Sequence, residues 1–182
     1  MTFIETHNTV SIEAEHTSSR VAQSGVEWKT IANYGRSLSS VKMFPDTVSF
    51  EQPENAPYLE YQVLVQQNAD YSLTAYIAPT NNLSQFSGLK YAVGFDAQTP
   101  VITDALPTDF AGGNHDNEPW CCAVMDNIHT VTTSHALTKG IHTLRFYGLD
   151  AGLVLQKLVL SAAELPYSYL GPEESFYTRG TH

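Results

Sequence analysis

Short strand-like segments, separated by Gly, Pro and Asn and with no long helical stretch between them, constrain this chain more than any other feature. Thr9-Val10-Ser11-Ile12-Glu13-Ala14-Glu15 alternates polar and apolar residues, the period-two signature of a strand with one buried face. Leu59, Tyr61, Val63 and Val65 share one face of a second strand, with Glu60, Gln62 and Leu64 on the other. Further strands are predicted at Glu27–Ile31, Leu38–Lys42, Ser72–Ile77, Tyr91–Phe95, Thr130–Leu137, Ile141–Gly148 and Leu153–Leu160. Eight or more short strands without regular intervening helices point to an all-β fold, an antiparallel β-sandwich. One helical turn interrupts it: Asn117 or Glu118 opens it, Pro119 suits its first turn and Ala123–Asn127 continues it.

The whole of 1–182 reads as one module, with a core of about 9–161 and a tail of 162–182. The tail segment Leu165-Pro166-Tyr167-Ser168-Tyr169-Leu170-Gly171-Pro172 is too aromatic for a free linker and is expected to pack back on the sandwich. Phe176 to His182 is expected to fray. The loop from Thr99 to Asn117, with Gly112-Gly113-Asn114-His115-Asp116-Asn117, is polar.

Charge excludes one class of partner. With 9 Lys+Arg against 19 Asp+Glu the formal net charge is −10, which opposes any phosphate-binding surface and hence nucleic acid. No apolar run approaches the roughly 20 residues of a membrane span, and Met1–Glu5 lacks the basic and apolar regions of a signal peptide. The adjacent Cys121 and Cys122 are expected to be buried free thiols, because a bridge between neighbours is strained.

No catalytic motif stands out, and the seven histidines lack zinc-site spacing. Glu13 and Glu15 lie two apart, so on a strand both carboxylates point the same way and, with loop carbonyls, could hold Ca²⁺. From spacing alone the stronger reading is a solvated polar face opposite Ile12 and Ala14. Trp28 lies close to Tyr34 and Arg36, Trp120 closes the long polar loop, and Asp150 sits in the turn Gly148-Leu149-Asp150-Ala151-Gly152. Sugar rings offer a CH face for stacking and hydroxyls for carboxylate, amide and guanidinium partners, so aromatics beside polar loops have the composition of a glycan site. Core packing is the competing reading for both tryptophans; it is favoured for Trp28 and evenly weighed for Trp120.

Several segments in order carry a family resemblance: Val10–His16, Gly25–Trp28, Tyr34–Ser37, Ala56–Tyr61, Gly88–Val93, Ala123–Asn127, His142–Leu144, Gly152–Lys157 and Ser168–Glu173. The series resembles the C-terminal β-sandwich domain of glycoside hydrolase family 115, the α-glucuronidases that trim glucuronoyl side chains from xylan. More distantly, Ile12-Glu13-Ala14-Glu15 and the closing strand are similar to carbohydrate-binding module families 6 and 35, with a galactose-binding-like jelly-roll fold. That resemblance implies a structural Ca²⁺ held by Glu13, Glu15 and the position of Gln156, where a neutral oxygen replaces the family's Asp. Trp120 falls near a sugar-binding aromatic position, whereas Val154 stands where an Asn is expected. The implied ligand set is Trp28, Tyr34, Arg36, His115, Asn117, Trp120, Asp126, Asn127 and Asp150. The expected function is a non-catalytic carbohydrate-binding module of a multidomain polysaccharide hydrolase, acting outside the cell or in the periplasm beside its parent catalytic domain. Its partner would be a plant or algal cell-wall polysaccharide, xylan or glucuronoxylan or an algal galactan, with no nucleic acid and no membrane. The alternative is a structural or dimerisation domain of an α-glucuronidase, with an apolar patch around Tyr167, Tyr169 and Phe176 and no glycan of its own.

Overall fold

The computed structural model describes residues 1–80, 88–106, 110 and 116–179. In chain order its strands are β1 (Thr2–Ile4), β2 (Thr9–Glu13), β3 (Ser19–Val21), β4 (Glu27–Ile31), β5 (Ser40–Phe44), β6 (Tyr58–Val65), β7 (Ala69–Ile77), β8 (Lys90–Phe95), β9 (Val101–Asp104), β10 (His129–Leu137), β11 (Gly140–Gly148), β12 (Val154–Ser161) and β13 (Tyr177–Thr178). Among the described residues one α-helix, α1 (Glu118–Asp126), precedes β10. Seven strands form one sheet in the order β13-β1-β6-β11-β8-β9, with β3 beside β6. The other six run β10-β7-β12-β5-β4, with β2 beside β12. Of the ladders between these strands, β1 with β6 is parallel and the rest are antiparallel. The predicted sandwich is what the chain forms.

Alternation decides which face of each strand is buried. In β6, Leu59, Tyr61, Val63 and Val65 are fully buried, and β7 sends Tyr71, Leu73, Ala75 and Ile77 to the same core. Trp28 is 4% exposed and meets Phe146 edge-on at 6.0 Å, while Tyr91 stacks on Phe146 at 4.8 Å. A core aromatic cannot offer a face to a ligand, so Trp28 leaves the expected sugar-binding set. Gly148 serves the same packing: a Cβ there would lie 2.2 Å from Met43 Sδ and 2.8 Å from Trp28 Cζ2.

Three local readings change. The helical turn is a helix of nine residues, because Asn117 Oδ1 caps it by accepting from the Trp120 N–H at 3.0 Å and Asn127 ends it in the left-handed region at φ 52°. Ala123 is the buried residue of that helix, so Cys121 is only half-buried and Cys122 is exposed, and neither is in a disulfide, as expected. Tyr177 and Thr178 do not fray; they pair with Phe3 and Thr2 to form the edge of the larger sheet.

On the β11 side, His142 Nδ1 lies 2.6 Å from Asp96 Oδ2 and Nε2 lies 2.6 Å from the Thr138 carbonyl oxygen. Burial works against the imidazolium, but the Thr138 carbonyl and the Asp96 carboxylate outweigh it and raise His142 above its ordinary 6.5. Partial burial also opposes the Asp96 charge, and the Thr143 amide, His142 and Arg145 together still hold its carboxyl below 3.8.

Two outcomes are expected. In urea denaturation Trp28→Ala lowers the unfolding free energy by about 3–5 kcal/mol, whereas Trp120→Ala, on a surface helix, costs less than half of that. The His142 contribution is fully present below pH 6.5 and fades as pH rises through its raised value. The Asp96 contribution is present above 3.8 and fades only as pH falls through its lowered value. The stability gap between the natural chain and His142→Gln is therefore widest near about pH 5–6 and shrinks towards about pH 8, read as urea midpoints across that range.

Candidate functional site

The segment between β4 and β5 crosses the end of the six-stranded sheet, and three residues expected to hold a metal fasten it there. Glu13 Oε1 accepts from Ser37 Oγ at 2.6 Å, Glu15 Oε1 from the Ser39 N–H at 3.0 Å and Gln156 Oε1 from the Arg36 N–H at 2.9 Å. Gln156 Nε2 also donates to the Asn127 carbonyl at 3.0 Å, which joins this segment to the end of α1. Glu13 is neither solvated nor free. Its carboxylate forms a 3.0 Å ion pair with the buried Lys157 ammonium. The implied Ca²⁺ does not fit these residues, because the ammonium already supplies the positive charge and the carbonyl of Gln156 is engaged by Arg36. Among the described residues no group of three His, Cys, Asp or Glu side chains is arranged to hold a metal ion.

Arg36 carries the segment onto the face of the sheet. Its Nε donates to the Asp126 carbonyl at 2.6 Å, Nη1 donates to the Tyr169 carbonyl, and Nη2 lies 3.9 Å from Asp126 Oδ1. The guanidinium also sits 4.0 Å from the centre of the Tyr169 ring. Its side chain is 7% exposed, so Arg36 fixes the tail and α1 and offers little to solvent. The Asp126 carboxylate remains half-exposed.

Between the tail and the polar face of β7 and β10 lies a groove of about 280 Å³. Thr74, Tyr76 and Thr130 form its floor, Arg36 and Asp126 close one end, and Leu165–Ser168 with Gly171 and Pro172 form the wall. Tyr167 stands in that wall with 84% of its surface exposed. Burial raises the Tyr76 phenol despite the nearby Arg36 charge, so it remains a neutral O–H at ordinary pH. The wall reaches Tyr76 because Gly171 adopts φ 71° and carries no Cβ; one there would lie 3.1 Å from Tyr76 Oη.

Of the residues expected to bind sugar, the structure therefore brings Arg36, Asp126 and Asn127 together, with Gln156 beneath them. Tyr34 lies exposed in the Arg36 segment. Asn117 caps α1, and Trp120 is half-buried on it. Asp150 is elsewhere: its Oδ2 accepts from the Lys90 N–H at 2.8 Å, which ties the β11–β12 turn to β8. His115 lies outside the described residues. Sequence reasoning missed Tyr76, Thr74, Thr130 and Tyr167 as groove residues. The available signal was the Thr-rich alternation of Thr130-Val131-Thr132-Thr133, a polar outer face in a strand of otherwise good β-formers.

Residues 2–174 match the family model described as the glycosyl hydrolase family 115 C-terminal domain. No curated protein matches the chain. Among solved structures, the chain is similar to BtGH115A, a family 115 4-O-methyl-α-glucuronidase with specificity for decorated arabinogalactans. That match has 14% identity and a TM-score of 0.62, and covers 85% of this chain but 17% of the enzyme. It is also similar to a family 35 carbohydrate-binding module from Clostridium thermocellum, at 17% identity and a TM-score of 0.54, over 84% of this chain and 98% of the module. A third relative in fold is the CBM6cm-2 module of Cellvibrio mixtus lichenase 5A in complex with cellotriose, at 14% identity and a TM-score of 0.52, over 85% of this chain and 98% of that one. At such identities the solved structures establish the shared sandwich fold, and the family model establishes membership: this chain belongs to the C-terminal domain family of glycoside hydrolase family 115.

Proposed function

We propose that this chain is a non-catalytic carbohydrate-binding module that receives a plant or algal cell-wall polysaccharide in the groove beside its tail. The observation that carries this reading is the pairing of the exposed Tyr167 ring with the Asp126 carboxylate and with the Thr74, Tyr76 and Thr130 side chains, all lining one open groove. An aromatic ring gives a sugar its CH-face contact, and the carboxylate and hydroxyls accept and donate to its hydroxyls. A groove open at the surface suits a stretch of polymer rather than an enclosed small molecule.

Charge narrows the ligand. The Arg36 guanidinium at the groove's end is turned into the protein by Asp126 and Tyr169, and the chain carries a net charge of −10. Neutral stretches of xylan or galactan suit it better than a run of uronic acids. Held beside a parent hydrolase outside the cell or in the periplasm, such a module raises the enzyme's effective concentration on its polymer without adding chemistry.

A second reading has its own observation. Met125 is 81% exposed, Phe176 82% and Tyr167 84%, and large apolar side chains of that kind also serve contacts between copies or between domains. Under that reading the chain sediments as a dimer and Tyr167→Ala makes it monomeric, with no retention by any glycan.

Affinity electrophoresis in gels containing xylan, glucuronoxylan or an algal galactan separates the two. Retention in at least one neutral polymer is expected, and Tyr167→Ala should weaken it by about tenfold, the equivalent of ~1.4 kcal/mol from a lost stacking contact. Absence of retention in every polymer removes the glycan reading. Gly171→Ala should weaken retention as well, and lower stability by about 1–2 kcal/mol in urea, because it forces an alanine into the left-handed region against Tyr76.

A further inference from the structure

The buried cation of this fold is a side chain. Lys157 is 5% exposed and Glu13 4% exposed, so both charges have given up their water. A lysine ammonium has three N–H bonds to satisfy. It finds three oxygens: Glu13 Oε1 at 3.0 Å, the Pro172 carbonyl at 3.0 Å and the Leu170 carbonyl at 3.2 Å. Those oxygens come from β2 and from two positions in the tail, and the nitrogen comes from β12. The set mixes one carboxylate with backbone carbonyls, the kind of donors a hard divalent ion would take. A calcium ion bound to the same carboxylate oxygen at its usual distance of about 2.4 Å would face the ammonium across a few ångströms.

We propose that the Lys157 ammonium takes the structural place of a divalent cation, so that the module is fastened without metal and the tail is clamped to the sandwich at Leu170 and Pro172. The mechanism is electrostatic. Pairing with Glu13 compensates both desolvated charges, and the remaining two N–H bonds turn that compensation into a clamp on Leu170 and Pro172. The neighbouring tail contacts then close in register. Ser11 Oγ donates to the Pro172 carbonyl at 3.0 Å, the Glu13 N–H donates to Glu174 Oε1 at 3.1 Å, and the Ser11 N–H donates to Ser175 Oγ at 3.0 Å. The clamp works in the same way whatever the groove binds.

Thermal unfolding of the whole chain in about 5 mM EGTA and in about 5 mM CaCl2 tests it. The two melting temperatures should agree within about 1 °C, since a ligand that binds only the folded state would raise it with concentration. Lys157→Met should lower the melting temperature by roughly 6–15 °C, the cost of leaving a buried carboxylate alone. It should also speed hydrogen exchange at the amides of Ser11, Glu13 and Ser175. If Lys157→Met does not fold, the double variant Glu13→Gln with Lys157→Met removes both charges and should recover a folded, cooperative transition. Calcium raising the melting temperature of the natural chain by several degrees, with EGTA reversing it, overturns the proposal. So does a Lys157→Met variant with unchanged melting and tail protection.

Discussion

Burying a carboxylate beside an ammonium costs both groups their hydration, and only a geometry that meets every bond they can make offsets that cost. The Glu13–Lys157 pair draws its partners from the β4–β5 segment and from the tail, and much of the groove end of the molecule follows from it. Ser37 completes the Glu13 oxygen, which places the segment carrying Arg36. Leu170 and Pro172 complete the ammonium, which places the tail. Arg36 then bonds the tail and the last turn of α1, and the groove is the space left between them and the outer face of β7 and β10. Removing one charge would leave the other stranded, so this region tolerates loss of both more readily than loss of one.

The fold was largely legible in the sequence where strands are long enough to show alternation. Tyr58–Val65 and Ala69–Ile77 repeat apolar residues every second position, and little besides a half-buried strand produces that pattern. β1, β3 and β13 were not legible, because two or three residues cannot display a period and these strands owe their state to the partners they meet. The site was legible in part. Glu13, Glu15 and Gln156, which the resemblance grouped around an ion, all accept from one segment, through Ser37 Oγ and the Ser39 and Arg36 N–H groups. The charge paired with Glu13 is Lys157, the residue after Gln156. Its burial in the interior strand β12 could not be read from a lone lysine in an apolar run. The sequence already favoured the core for Trp28, which packs against Phe146 and Gly148, whereas the evenly weighed Trp120 lies half-buried on α1.

The relatives in fold share the sandwich at 14–17% identity, which fits a scaffold specified by alternation more than by particular side chains. The groove of this chain depends on particular side chains and one backbone angle. They are a glycine at φ 71° against Tyr76, a tyrosine left standing in the tail wall, and an arginine turned inward.

The pairing of β2 has a consequence for how the chain acquires its structure. Within the smaller sheet β2 is laddered to β12, with Ile12 opposite Leu158, and all five of its residues are buried. That ladder therefore closes only when residues about 146 positions apart in the sequence meet. Local hairpins such as β4–β5 and β8–β9 can form early, but the sandwich closes around them only once β2 and β12 have met. A contact of such sequence separation slows folding, and β2 is expected to be among the last strands to find its place.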